Sequence, residues 1–126
     1  MGKLKYILII FCALTFFGCK KNQIGGKSNI KGKVMHHDKP IPFAKIYIKY
    51  NAKEFPGANV GDYNYTMDAD LNGNFLVEHI YHGDYYFYAV GVDDALTLPG
   101  TVKGGTYLKI KRFKEVTGFV IPVSED

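Results

Sequence analysis

The stretch Asp68-Ala-Asp70-Leu-Asn72-Gly73 has the spacing of a metal site. Carboxylate and amide oxygens at alternate positions, followed by a glycine for a sharp turn, open a calcium loop. Such a loop closes on a bidentate Glu at its twelfth position, where this chain has His79, with Glu78 one place short. Strand-forming residues also flank the stretch where a calcium loop needs helices. It therefore reads as a hairpin turn whose Asp and Asn side chains bond the backbone. Asp68, Asp70 and Asn72 are the only oxygens it offers a cation. The four histidines do not strengthen a metal reading. Neither His36-His37 nor the pair His79 and His82 has the spacing by which zinc gathers three or four converging ligands, and both are expected at exposed turns. No Ser or Cys stands in a nucleophile elbow, so no catalytic residue and no cofactor are assigned, and the chain is read as non-enzymatic.

Tyrosine is the other abundant chemical group, with ten Tyr and nine Phe against no Trp. In the run 85–92, strand alternation sends Tyr85, Phe87 and Ala89 to one side and Tyr86 and Tyr88 to the other. Tyr47, between Lys45 and Lys49, is placed like Tyr86 and Tyr88. Outward tyrosines can stack on sugar rings or anchor a protein partner, because the ring is apolar and its hydroxyl is wet. They can equally be cross-strand pairs that shield a sheet face, worth about 0.2–1 kcal/mol each, and this second reading is favoured. Tyr47, Tyr86 and Tyr88 are the candidate binding residues.

Cys19 is singled out by its position. An apolar run, 6–17, follows Lys3 and Lys5 and ends at Gly18-Cys19, with Lys20 and Lys21 beyond. That order is a secretory signal peptide. Twelve residues make a helix of about 18 Å, short of the roughly 30 Å of hydrocarbon that a spanning segment must cross. Gly18-Cys19 resembles the cleavage box of bacterial lipoproteins, with Phe16 and Phe17 where that pattern has a Leu and a small residue. The resemblance implies cleavage after residue 18, a lipid on Cys19 and attachment to a membrane. Cys12 lies within the apolar run, so Cys19 is the one cysteine of the expected mature chain. Lys20 and Lys21 resemble the residues after the cysteine in lipoproteins that go on to the outer membrane. The expected division is a signal segment 1–18, a lipidated cysteine and flexible tether 19–29, and a folded domain 30–126.

The elements of that domain read as strands. Ala44-Lys-Ile-Tyr-Ile-Lys-Tyr50 alternates as a half-buried antiparallel strand does, with Ala44, Ile46, Ile48 and Tyr50 on one face. Further strands are expected at 30–34, 63–67, 74–80, 85–92, 106–113 and 119–123, with turn residues between them and no helical stripe. Asn72-Gly73 supplies the positive φ of a tight hairpin turn. Seven short strands in under 100 residues argue for an all-β, antiparallel, Ig-like sandwich. Asp70-Leu-Asn-Gly73-Asn-Phe75, then Gly83-Asp-Tyr85-Tyr-Phe87-Tyr-Ala89, resembles the D-x-x-G-x-F and G-x-Y-x-Φ-x-A signature of carboxypeptidase regulatory-like domains. Gly32-Lys-Val34 and Pro40-Ile-Pro-Phe-Ala44 resemble the opening of the same family. The resemblance covers about 30–92 and implies a transthyretin-like sandwich. Enzymes of that fold that hydrolyse a purine-derived ring carry a terminal Tyr-Arg-Gly-Ser and catalytic His and Arg; this chain has Val-Ser-Glu-Asp there and a single arginine, Arg112.

Charge excludes little but is unevenly placed. The net charge of +4 falls by two when Lys3 and Lys5 leave with the signal segment, which gives no reason to expect nucleic acid. Between residues 54 and 102 there are eight acidic residues and no Lys or Arg, and the basic residues lie on either side. In a sandwich, either acidic strands neutralise basic neighbours or opposite ends carry opposite sign. The expected protein is a lipid-anchored accessory or protein-binding module of the outer membrane, with a carbohydrate-binding or adhesive module as the alternative. Its expected partners are the membrane through Cys19, and an outer-membrane protein complex or a glycan.

Overall fold

In the computed structural model, residues 20–112 and 114–125 are described. The expected signal segment and Cys19 lie outside these residues. The first strand, β1 (Ile24–His36), turns alternate residues inward, burying Ser28, Ile30, Val34 and His36. It begins six residues before the expected domain boundary at Ile30. Small residues hide that start from a hydrophobic pattern: a Cβ on Gly26 would fall 2.5 Å from the Ile80 carbonyl oxygen, so only glycine fits there. What was expected as tether is thus strand from Ile24 onward. Asn22 is tied down as well, its N–H donating to the His82 carbonyl at 3.0 Å and its Oδ1 accepting from the Asp84 N–H at 2.8 Å.

The remaining strands are β2 (Lys39–Pro40), β3 (Lys45–Tyr50), β4 (Tyr65–Asp68), β5 (Asn74–Ile80), β6 (Gly83–Val92), β7 (Thr101–Ile110) and β8 (Val116–Pro122). They form two four-stranded sheets, an all-β sandwich. In the first sheet β1 pairs antiparallel with β2 and β5 and parallel with β8, the one exception to the expected antiparallel pairing. The second sheet has the order β4-β3-β6-β7 and is antiparallel throughout. Strand β7 starts five residues before the expected 106, because Gly104-Gly105 continues the ladder opposite Ala89 and Tyr88 instead of breaking it.

The core lies between the sheets and follows the expected alternation. Ala44, Ile46, Ile48, Phe75, Val77, Tyr85, Phe87 and Ala89 are all buried in it, and the whole core falls between Ile30 and Val123. Phe75, Phe87 and Phe119 meet with ring centroids 5.0–6.3 Å apart. The strand registers also define two ends. Residues 20–23, the β5–β6 turn and the β7–β8 connection share one end, since Asn22 bonds at Asp84 and Gly83 pairs with Ile110. The connections around β2, the β4–β5 turn and the β6–β7 loop share the other.

Candidate functional site: an aromatic shelf on the outer sheet face

The outward residues of the second sheet include Tyr47 on β3, Tyr86 and Tyr88 on β6, and Lys103, Gly105 and Tyr107 on β7, as their pairing requires. Tyr47 and Tyr88 are direct cross-strand partners with ring centroids 6.2 Å apart. The three candidate tyrosines therefore share a face, as their alternation predicts. They do not share an environment. Tyr88 is only 4 % exposed, although it lies outside the sandwich core.

Its cover is the β3–β4 loop, 51–64, which folds back over the sheet. Tyr63 stacks on Tyr88 at 5.8 Å with planes 21° apart, and touches Tyr47 at 5.8 Å. Phe55 packs on Tyr88 at 5.4 Å and on Tyr86 at 5.9 Å. Polar ties hold the loop in this position. Asn64 Oδ1 accepts from the Tyr50 N–H at 2.8 Å, Lys49 Nζ donates to the Asp62 carbonyl at 2.8 Å, and the Tyr63 hydroxyl donates to the Gly57 carbonyl at 2.9 Å. Burial pushes the Tyr63 phenol up to about 12, helped by the neighbouring Tyr88 and Tyr86. The Tyr86 phenol is raised by the same desolvation. Both rings thus keep their hydroxyl protons, and with them a hydrogen-bond donor, across the neutral range.

Beside this cluster lies a groove of about 380 Å³ lined by Phe55, Ala58, Tyr86, Tyr88, Lys103 and Gly105, with Gly104 beneath. Gly105 shapes its floor. A Cβ there would meet the Phe87 carbonyl oxygen at 2.4 Å and Tyr86 Cε1 at 2.7 Å, so the Tyr86 ring lies against bare backbone. Phe55 is 53 % exposed, which leaves an aromatic surface open at the groove's edge. Next to it the Tyr107 hydroxyl donates to the Asp84 carboxylate. The volume sits in the range of small-molecule clefts, with the usual mixture of apolar wall and few polar groups. A larger groove, about 710 Å³, is lined by residues of β1, β5 and β8 together with Met67, Asp68 and Asp70. Its aromatic residues, Phe75 and Phe119, pack on Phe87, with Phe75 buried and Phe119 partly buried.

Phe55, Tyr63 and Gly105 were not among the sequence candidates. A loop has no periodicity by which Phe55 could be assigned a face, Tyr63 lies ahead of the strand expected at 63–67, which begins only at Tyr65, and a Gly-Gly pair reads as a break. The available signal was two aromatic residues in an otherwise polar loop.

The metal and histidine candidates resolve differently. Asp70 Oδ1 accepts from the N–H groups of Asn72 at 2.9 Å and Asn74 at 2.8 Å, and Gly73 has φ +74°, so the tight turn forms as expected. It is corrected from a hairpin to a crossover, because β4 and β5 belong to different sheets. Asp68 Oδ1 lies 3.4 Å from Lys45 Nζ. Among the described residues no three His, Cys, Asp or Glu side chains converge as a metal site would require. The expectation of exposed turn histidines is corrected at His36. It ends β1 on an inward position and is buried, with Nδ1 2.8 Å from Asp93 Oδ2. Asp93, also buried, accepts from Lys39 Nζ at 2.7 Å and from the Ala95 N–H at 2.9 Å. His36 and then Lys39 hold the Asp93 carboxyl well below its usual range, against the opposing effect of burial. This cluster ties the end of β1 in one sheet to the end of β6 in the other.

No protein-family model matches the chain, and no curated protein matches it. Among solved structures, it is similar to a protein from Pseudomonas aeruginosa proposed to bind carbohydrate, with a TM-score of 0.54 and 16 % identity over 80 % of this chain and 91 % of that one. It is also similar to a DUF3823 family protein from Parabacteroides merdae, with a TM-score of 0.47 and 11 % identity over 79 % of this chain. The chain spans 47 % of that second protein's length. The first likeness shows a shared β-sandwich fold.

Proposed function

We propose that this chain is a non-enzymatic binding module of the cell envelope, anchored by a lipid on Cys19, and that a carbohydrate binds in the groove on its outer sheet face. The observation that carries this reading is the open Phe55 ring and the Tyr86 ring beside the side-chain-free floor at Gly105. A pyranose presents an apolar face of C–H groups that stacks on an aromatic ring, and its hydroxyls need donors and acceptors at the rim. Tyr86 and Lys103 supply those polar groups. The fold-mate proposed to bind carbohydrate agrees with the reading without carrying it. The likeness to carboxypeptidase regulatory-like domains and the outer-membrane location belong to the same proposal.

One observation favours a second reading, docking on a protein. Phe43, Leu71 and Leu98 are 65 %, 68 % and 94 % exposed on three connections at one end of the sandwich. Phe43 also has φ +56°, unusual for a bulky residue, with its N–H bonded to the Asp70 carbonyl at 3.0 Å.

Titration with a panel of neutral and acidic oligosaccharides, followed by tyrosine fluorescence, separates the two. Saturable binding is expected, weakened about tenfold or more by Tyr86→Ala and by Phe55→Ala, since an aromatic anchor is worth roughly 2 kcal/mol. Binding that survives both substitutions, or is absent across the panel, removes the groove as the site. Loss of protein partners on Phe43→Ser or Leu98→Ser would then favour the exposed end.

A further inference from the structure

The two ends of the sandwich carry opposite charge, and the positive one is where the chain leads to Cys19. Segments 20–23, 81–84 and 109–115 meet at this end and hold six cations, Lys20, Lys21, Lys109, Lys111, Arg112 and Lys114, against Asp84 and Glu115. All six cations are exposed, while Asp84 is half-buried and bonded by the Tyr107 hydroxyl. The 51–64 loop leaves from the same end, and its Lys53, Glu54 and Asp62 do not change the sign. At the far end, segments 36–44, 68–73 and 93–100 hold five aspartates and one lysine, Lys39. The uneven charge along the sequence has become a separation between ends, with neutralisation between neighbouring strands at the Lys45–Asp68 pair.

Distance gives this separation a consequence. A ten-residue flexible tether would hold the domain about 15–20 Å from its point of attachment. Asn22, however, is fixed to the domain by two hydrogen bonds, to the His82 carbonyl and the Asp84 N–H. Only three peptide steps separate it from Cys19, at most about 11 Å fully extended. The screening length near physiological salt is about 8–10 Å. Lys20, Lys21 and the β7–β8 cations are therefore held within reach of any bilayer that takes a lipid on Cys19.

We propose that this basic end is a docking surface for an anionic phospholipid bilayer, which orients the domain with its acidic end and exposed Phe43 and Leu98 away from the membrane. The proposal goes beyond the carbohydrate reading and relies on the Cys19 anchor only for the direction in which the surface is presented. Its cations act without a dedicated pocket, as a polybasic patch does, each worth about fivefold in partitioning onto anionic lipid. The carbohydrate groove lies on a side face, clear of both ends.

The test uses residues 20–126, which contain both sheets and the entire core. Because this chain lacks Cys19, its result is independent of lipidation. Co-sedimentation is measured with phosphatidylcholine vesicles and with vesicles containing 30 % phosphatidylglycerol. Binding is expected to the anionic vesicles only, to fall steeply with added salt, and to drop at least tenfold in the variant Lys21→Glu, Lys111→Glu, Lys114→Glu. The control Lys31→Glu, Lys33→Glu, Lys45→Glu makes the same change in net charge away from this end and is expected to retain most of the binding. Equal binding to neutral vesicles, absent binding to anionic ones, or equal loss in the two variants would overturn the proposal. Displacement by millimolar glycerol phosphate would also overturn it, by showing a headgroup-sized anion site instead of a surface.

Discussion

Strand β6 sends aromatic rings in two directions, and the two rows are buried by different means. Tyr85 and Phe87 face the other sheet and are covered by strands of both, including Phe75 and Phe119 from β5 and β8. Tyr86 and Tyr88 face away and are covered by one loop, through Phe55 and Tyr63. A ring locked between sheets can yield only if the fold yields. A ring under a loop can be uncovered while the sheets stay paired, because loops open at lower free energy than the core they border. The inner row therefore belongs to stability. The outer row combines modest stability with access, as a binding face requires.

Substitutions on the same strand test this contrast directly. Phe87→Ala has the largest expected effect, a loss of about 3–5 kcal/mol in unfolding free energy by denaturant titration, since a fully buried ring is replaced by a cavity that the sheets cannot close. Tyr88→Ala is expected to cost about 1–3 kcal/mol, because the loop can settle into part of the vacated space. Equal losses at the two positions would mean that the outer layer is as rigid as the core and would break the contrast.

Alkaline titration sharpens the comparison with a smaller effect. The folded-state pKa of Tyr63 is raised to about 12, above its ordinary value of 10.0. The folded state therefore holds this proton more tightly than the unfolded chain, and the associated stability is present below pH 10 and lost as pH rises towards 12. The melting midpoint is expected to fall between about pH 10 and 12, and Tyr63→Phe should reduce that fall. An unchanged slope in the variant would place the alkaline loss on another phenol, with Tyr85 the foremost candidate because burial raises it too.

Much of the fold was legible because its cause is local. The period-two pattern of Ala44, Ile46 and Ile48, and of Tyr85, Phe87 and Ala89, comes from the pleat itself, and the structure buries each of these residues. The Asp70 to Gly73 turn is equally local, its bonds closing within four residues. Where polarity and burial disagree, the pattern misleads. Gly26 and Ser28 continue β1 inward without apolar side chains, and His36 ends it inward as a buried polar group. The buried contact of His36 with Asp93 was illegible because the two lie 57 residues apart.

By itself the sequence determined which way each β6 ring points and where the chain turns between β4 and β5. These are consequences of bonding and sterics within a few residues. Only the tertiary structure decided what lies over each face. It brought Phe55 and Tyr63 onto Tyr88, placed Tyr86 beside the bare backbone at Gly105, fixed Asn22 to the domain, and gathered cations from 20–23 and 109–115 at one end. Those outcomes depend on how loops close and strands pair across tens of residues, and no local period encodes that closure.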